Sequence, residues 1–141
     1  MKAILFLLGL LSFGLMASAQ IMNKDSLSLV SKINADKEKL AKLQGSVAER
    51  EKEKLKAAQL AQESADDNRV AANRLSNDPQ DKKLARKADN GAADARDDAR
   101  KARKANSRLE NLNMDILNLT EKIAKEETKL KKYVVEAEAL K

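Results

Sequence analysis

The 141-residue sequence contains no cysteine, no histidine and no tryptophan, and only one proline. Without cysteine, the chain can form no disulfide and offers no thiolate to a metal ion. Without histidine as well, a catalytic base or nucleophile would have to come from Ser, Asp, Glu or Lys, which need a desolvated pocket to tune them. The sequence therefore predicts no enzyme, no catalytic residue, no cofactor and no metal site.

Large aromatic side chains are scarce. Both phenylalanines, Phe6 and Phe13, lie near the start of the chain, so Tyr133 is the only aromatic residue in the remainder. A globular core of ordinary shape recruits several aromatics because they bury the most area per residue. Their scarcity, in a composition dominated by Ala, Leu, Lys, Glu, Asp and Arg, predicts long helices packed side by side.

The first 20 residues, MKAILFLLGLLSFGLMASAQ, have the organisation of a secretory signal peptide. One lysine precedes an apolar run from Ala3 to Met16, and small residues follow up to Ala19. The run is too short and wrongly flanked for a membrane span. We expect cleavage after Ala19, and hence a bacterial protein that is periplasmic or secreted and retains no transmembrane span. Residues 1–19 are then the signal peptide and residues 20–141 a single domain.

A heptad pattern fills the C-terminal half. Counting from Leu84 in alternating steps of four and three, only Asp98 and Glu126 interrupt an apolar stripe that continues to the C-terminus. The stripe predicts a helix from about 79 to about 140, ~90 Å long. For the two acids, we favour side chains that lean toward solvent over buried residues that specify register. The large members of the stripe, the predicted core and oligomer seam, are Leu109, Leu112, Ile116, Leu119, Ile123, Leu130, Tyr133 and Leu140.

A turn is predicted at 76–79, before this helix, with Asp78 as its N-cap and Pro79 as its first residue. A first helix is predicted over about 26–75, and Gly45 leaves open a bend within it. Close to the turn its stripe comprises Ala58, Ala61, Ala65, Asn68, Ala72 and Leu75. Farther back a broader, drifting stripe comprises Leu27, Val30, Ile33, Leu40, Leu43, Val47 and Leu55.

The two stripes match if the chain folds back at Pro79. Partners would then have residue numbers that sum to about 159. Close to the turn, alanine would face alanine in the pairs Ala72–Ala88, Ala65–Ala95 and Ala58–Ala102, with Leu55 near Ala105. Near the termini, the pairs would be Val47–Leu112, Leu43–Ile116, Leu40–Leu119 and Val30–Leu130. The fold class is therefore all-α: a long antiparallel two-helix hairpin, alanine-rich near the turn and Leu/Ile-rich near the termini. A hairpin this thin is marginal, so we expect self-association through the Leu/Ile half.

Positive charge is concentrated in one segment. Residues 82–108 carry ten basic and four acidic side chains, whereas residues 20–81 carry eleven of each. The basic residues, a candidate surface for an anionic partner, are Lys82, Lys83, Arg86, Lys87, Arg96, Arg100, Lys101, Arg103, Lys104 and Arg108. A basic stretch that runs into leucine heptads is also typical of a DNA-binding helix. We do not expect sequence-specific nucleic-acid binding, because acids interleave with the bases and a matching alanine helix folds back on the segment.

Two exported coiled-coil families share features with the chain. ADARDDARKARKANSRLENLN and the terminal Lys141 resemble Braun-type lipoproteins, trimeric helices tied to peptidoglycan through a last lysine, although the chain lacks their acylated cysteine. The layout, exported and basic with a long helical hairpin, is similar to that of Skp-type periplasmic chaperones, which cage unfolded outer-membrane proteins. Those chaperones also have a small β body, whereas here only residues 26–29 alternate as a strand does.

The function expected from these features is that of an exported protein-binding or chaperone-like scaffold whose basic segment meets anionic surfaces or protein clients. The alternative is an envelope spacer or adhesion protein that holds lipopolysaccharide, peptidoglycan or the outer membrane through the same charge. Binding of the second kind would weaken steeply with added salt, because exposed charges are screened.

Overall fold

The fold is a helical hairpin. The computed structural model describes the backbone of residues 24–139 and the side chains of residues 24–136. Helix α1 spans Lys24–Asn77, helix α2 spans Lys82–Ala139, and the two pack against each other with no strand among the described residues. The predicted all-α fold is confirmed. The predicted signal peptide and Leu140 lie outside the described residues.

Contacts at both ends of the hairpin fix its register. Far from the turn, Lys32 Nζ lies 2.8 Å from Glu126 Oε1. Close to the turn, a Cβ added to Gly91 would lie 3.4 Å from the Cα of Asn68. The residue numbers of both pairs sum to about 159, which is the predicted register. Below, residues 57–105 are called the tip, and residues 24–56 together with 106–139 the base.

The turn differs in detail from the prediction. Residues 78–81 form it: Asp81 N–H donates to the carbonyl of Asp78 at 3.3 Å, and Pro79 occupies the second turn position, where its fixed φ is favoured. The α2 N-cap is Asp81, whose Oδ1 accepts from the backbone N–H of Lys83 at 2.7 Å and of Leu84 at 3.2 Å. The predicted cap at Asp78 and the helix start at Pro79 are therefore wrong. An Asp-Pro pair is compatible with a β-turn as well as with a helix start. Here Asp81 caps the helix, so that Asp78 and Pro79 belong to the turn.

The hydrophobic core lies in the base. Its buried members are Ile33, Leu40, Leu119, Ile123 and Leu130, with Leu29, Val30, Leu43 and Ile116 packed against them. The predicted partners Leu40 and Leu119 lie in this cluster, as do Val30 and Leu130. Since burial is worth about 25 cal/mol per Å² of apolar surface, these aliphatic side chains supply most of the hairpin's stabilisation.

Near the tip, the residues of α1 that lie in the seam differ from those predicted. Ala58, Ala65 and Ala72 are exposed, and Leu55 is 70% exposed. At each of these three alanines, the residue one position earlier lies in the seam instead, namely Ala57, Ser64 and Ala71. The other predicted positions, Ala61, Asn68 and Leu75, do lie in the seam. The pairings that involved Leu55, Ala58, Ala65 and Ala72 are accordingly wrong, although the tip seam remains one of small residues.

The α1 stripe does not drift. Its buried and half-buried positions run from Ser26 to Leu75 in unbroken steps of three and four, and polar residues occupy several of them. These polar members are Ser26, Asp36, Lys37, Ser46, Arg50, Glu53, Lys54, Ser64 and Asn68. The helix is also continuous through Gly45, where an added Cβ would meet no atom within 4 Å.

Candidate functional surfaces

The ten basic residues between Lys82 and Arg108, here called the basic surface, are all exposed. The hairpin seam of α2 runs through Ala88, Ala95 and Ala102 and leaves every one of them on the outer faces of the helix. The neighbouring stretch of α1, residues 57–81, carries two basic and five acidic side chains. The tip therefore has a basic α2 side and an acidic α1 side.

Few of these cations are neutralised. Arg100 Nη2 lies 3.2 Å from Asp97 Oδ1, and Lys101 Nζ lies 2.7 Å from Asp98 Oδ1. The other eight make no ion pair with the acids of the described chain. Such exposed i,i+3 pairs contribute little to stability because water and salt screen them. The basic surface thus keeps most of its charge for an external partner.

Asp98 stands where the basic surface meets the seam. Its side chain is 20% exposed. A hydrogen bond from Lys101 lowers the pKa of Asp98, and Ser64 of α1 lowers it further, while burial acts in the opposite direction. The Lys101 pKa is raised in return, chiefly by the same hydrogen bond. Asp98 therefore turns its carboxylate toward the exposed flank, in line with the preferred prediction for this residue.

Glu126 behaves differently, and its predicted lean toward solvent is wrong. Its side chain is only 12% exposed. Together with Lys32, Asp36 and Lys122 it forms a base charge cluster across the two helices: Lys32 Nζ lies 2.8 Å from Glu126 Oε1, and Lys122 Nζ lies 2.6 Å from Asp36 Oδ2. The hydrogen bond to Asp36 raises the pKa of Lys122. Asp36 was missed from the sequence because seam positions of α1 were assigned from apolar residues alone.

The predicted core seam of α2 lies inside the hairpin. Leu109, Leu119, Ile123 and Leu130 are buried, while Leu112, Ile116 and Tyr133 are half-buried. The Nζ of Lys129 lies 5.7 Å from the centre of the Tyr133 ring. Helix α1 packs against these residues, while Leu112, Ile116 and Tyr133 keep part of their surface exposed.

A second apolar stripe occupies the opposite face of α2. Its members, here called the outer stripe, are Met114, Leu117, Ala124 and Val135, and the three larger ones are between 58% and 63% exposed. Glu121, Thr128 and Lys131 complete the same three-and-four spacing. Two open depressions lie on this face, one lined by Glu121, Ala124, Lys125 and Thr128, the other by Lys131, Lys132, Val135 and Glu136. Sequence reasoning missed the stripe because it followed only the stronger one, although the same counting would have found it.

Residues 24–139 show little else that could serve as a site. No group of three or more acidic, histidine or cysteine side chains comes together there in a way that could hold a metal ion. Neither helix contains a segment that is long and apolar enough to cross a bilayer.

The fold and its surfaces define a class, an antiparallel two-helix hairpin whose tip has one basic and one acidic side and whose base is aliphatic. Comparison with protein-family models, curated proteins and solved structures found no match.

Proposed function

We propose that the chain is an exported, non-enzymatic scaffold that binds other proteins in the bacterial cell envelope, in the manner of a chaperone. Export is supported by the composition of residues 1–19, which has the three regions of a signal peptide. The observation that carries the binding role is the placement of large apolar side chains on the outside of a charged rod. Four large apolar side chains outside the seam are each more than half exposed: Leu55, Met114, Leu117 and Val135. Their apolar surface is therefore open to a partner.

The shape of the hairpin supports the same role. Its described surface offers long faces and open depressions, so that a partner would meet an extended surface. Acyl transfer, hydrolysis and similar chemistry instead need groups that converge in a desolvated pocket. The basic surface adds long-range attraction for anionic clients.

The scaffold role is tested by suppression of client aggregation. Residues 20–141 are mixed with an unfolding, acidic model protein, and light scattering is followed at about 50, 150 and 500 mM salt. Suppression that persists at the highest salt supports a scaffold that holds clients by apolar contact. The variant L55K with V135K should lose it. A chain without effect on aggregation at any salt would contradict the proposal.

A second candidate function is favoured by one observation, the eight cations of the basic surface that pair with no acid of the described chain. An envelope spacer or adhesion protein would hold lipopolysaccharide, peptidoglycan or the outer membrane through them. Such a protein should bind lipopolysaccharide with an affinity that falls steeply as salt is added, since exposed ion pairs are screened. The variant R96E with R103E should abolish that binding and leave the suppression of aggregation at high salt unchanged.

A further inference from the structure

Helix α1 already packs on the large residues of the seam, which favours a surface other than the seam for self-association. We propose that the outer stripe is that surface, and that a second copy of the chain docks on it with α2 against α2 in antiparallel orientation. This inference is independent of what the basic surface binds, but it assigns Met114, Leu117 and Val135 to the dimer and leaves Leu55 as the exposed residue of the proposed client surface that the second copy does not cover.

The outer stripe is long and continuous enough for helix pairing. From Met114 to Val135 it extends ~32 Å along α2. The Oγ1 of Thr128, within the stripe, donates to the carbonyl of Ala124 at 2.8 Å. Its hydroxyl proton is therefore satisfied within the helix and needs no acceptor across an interface.

The stripe is complementary to itself under a two-fold axis between residues 124 and 125. This axis brings Met114 of one copy over Val135 of the second copy, and Leu117 over Lys132 of the second copy. The large side chains at one end of the stripe thus meet the depression lined by Lys131, Lys132, Val135 and Glu136 at the other end. The second depression contains Ala124, lies on the axis and meets its own image.

Charge selects the antiparallel orientation and a second copy as the occupant. Glu121 comes opposite Thr128 of the second copy, with Lys125 and Lys132 of that copy one turn to either side, so that opposite charges meet there, while the Lys125 side chains of the two copies lie next to each other at the axis. The two basic surfaces are then held at opposite ends of the dimer, ~90 Å apart and far beyond the ~10 Å screening length. A parallel pair would place both basic surfaces side by side.

The contact is small, since each copy contributes three large apolar side chains. Interfaces below the usual size are weak, so we expect a Kd of about 10–100 μM.

Sedimentation equilibrium of residues 20–141, which contain both helices entire, tests the proposal over about 5–500 μM. The wild-type chain is expected to dimerise, and L117K to raise the Kd at least tenfold. The matched control is L55K, which alters a leucine on α1 that is 70% exposed, against 58% for Leu117, and should dimerise like the wild type. Both variants replace exposed side chains, and circular dichroism confirms that each remains helical.

Crosslinking tests the orientation, and the chain has no cysteine of its own to interfere. With a short bismaleimide, A124C should crosslink to itself. M114C and V135C should crosslink to each other when mixed, and neither should crosslink efficiently alone. Three results would each overturn the proposal: self-crosslinking of M114C, unchanged dimerisation of L117K, or a wild-type monomer at 500 μM. A wild-type monomer would indicate that a different protein covers the outer stripe.

Discussion

Lys122 Nζ on α2 lies 2.6 Å from Asp36 Oδ2 on α1, at a seam position that lies between the buried residues Ile33 and Leu40 of α1. Lys32 and Glu126 form the reciprocal pair at 2.8 Å. A slip of one helix by a heptad in one direction would set Asp36 against Asp115 and Glu126 against Asp25, whereas a slip in the other direction would give both carboxylates a new lysine, Lys129 and Lys39. The base charge cluster therefore opposes a slip in the first direction only, at some expense in stability.

Replacing both carboxylates of the cluster with leucine should stabilise the hairpin. Both carboxylates are largely buried, whereas Lys32 and Lys122 are 57% and 46% exposed. Carboxylates held in such pairs are often no better than well-packed apolar residues, and D36L with E126L should leave the free energy of unfolding unchanged or raise it by about 1 kcal/mol or more. D36A alone should lower it by about 1 kcal/mol, since Lys122 loses its partner. Urea unfolding measures each change. The control is E127Q, which breaks the more exposed pair of Lys37 and Glu127 (2.7 Å) and should have little effect. A D36A variant as stable as the wild type would contradict the account.

Acid should weaken the tip through Asp98. The Asp98 pKa is lowered in the folded state, chiefly by the hydrogen bond from Lys101, so the group stabilises the fold above its unfolded pKa of about 3.9. That contribution is lost as the pH falls through the folded-state pKa. Unfolding free energy measured against pH should therefore have a shallower acid limb in D98N than in the wild type. Identical limbs would show that the Lys101 contact does not persist in solution.

Removing the N-cap of α2 separates the roles of the two turn aspartates. D81A leaves the backbone N–H groups of Lys83 and Leu84 without their acceptor and should cost about 1 kcal/mol. D78A keeps the carbonyl that accepts from Asp81 and should cost less. The difference in melting temperature between the variants measures the effect. An equal or larger loss in D78A would mean that Asp78 caps the helix after all.

The two helical glycines should respond differently to a large side chain. Gly45 faces open space, so G45A should gain about 0.5–1 kcal/mol of stability from helix propensity, and G45L should be tolerated as well. Gly91 lies against the backbone of Asn68, so that G91L must push the helices apart. Chemical unfolding of the four variants, with alanine at Gly91 as the fourth, measures this. A tolerated G91L would indicate that the helices of the tip separate easily.

The seam of α2 could be predicted from the sequence because its spacing is carried almost wholly by apolar residues. Leu109, Leu119, Ile123 and Leu130 are buried where the four-and-three count places them. The phase of α1 could not be predicted in the same way. Alanines occupy both the seam and its flank, as at Ala57 and Ala58, and a small side chain gives little energetic preference between adjacent faces.

The candidate surfaces were predictable in part. The exposure of the basic surface follows from the α2 heptad alone. The burial of Glu126 does not, because its ion-pair partner, Lys32, lies more than ninety positions away in the chain. Likewise, the choice of Asp81 over Asp78 as the cap depends on which conformation Pro79 adopts, and an Asp-Pro pair is compatible with both.

The four-residue connection at 78–81 places Lys24 and Ala139 at one end of the rod and the basic surface toward the other. A helix of the length of α1 extends ~80 Å. Any attachment made through either end of the chain would therefore hold the cationic residues ~45–85 Å from the attachment point. That distance is up to about twice the ~35 Å diameter of a globular domain of this mass.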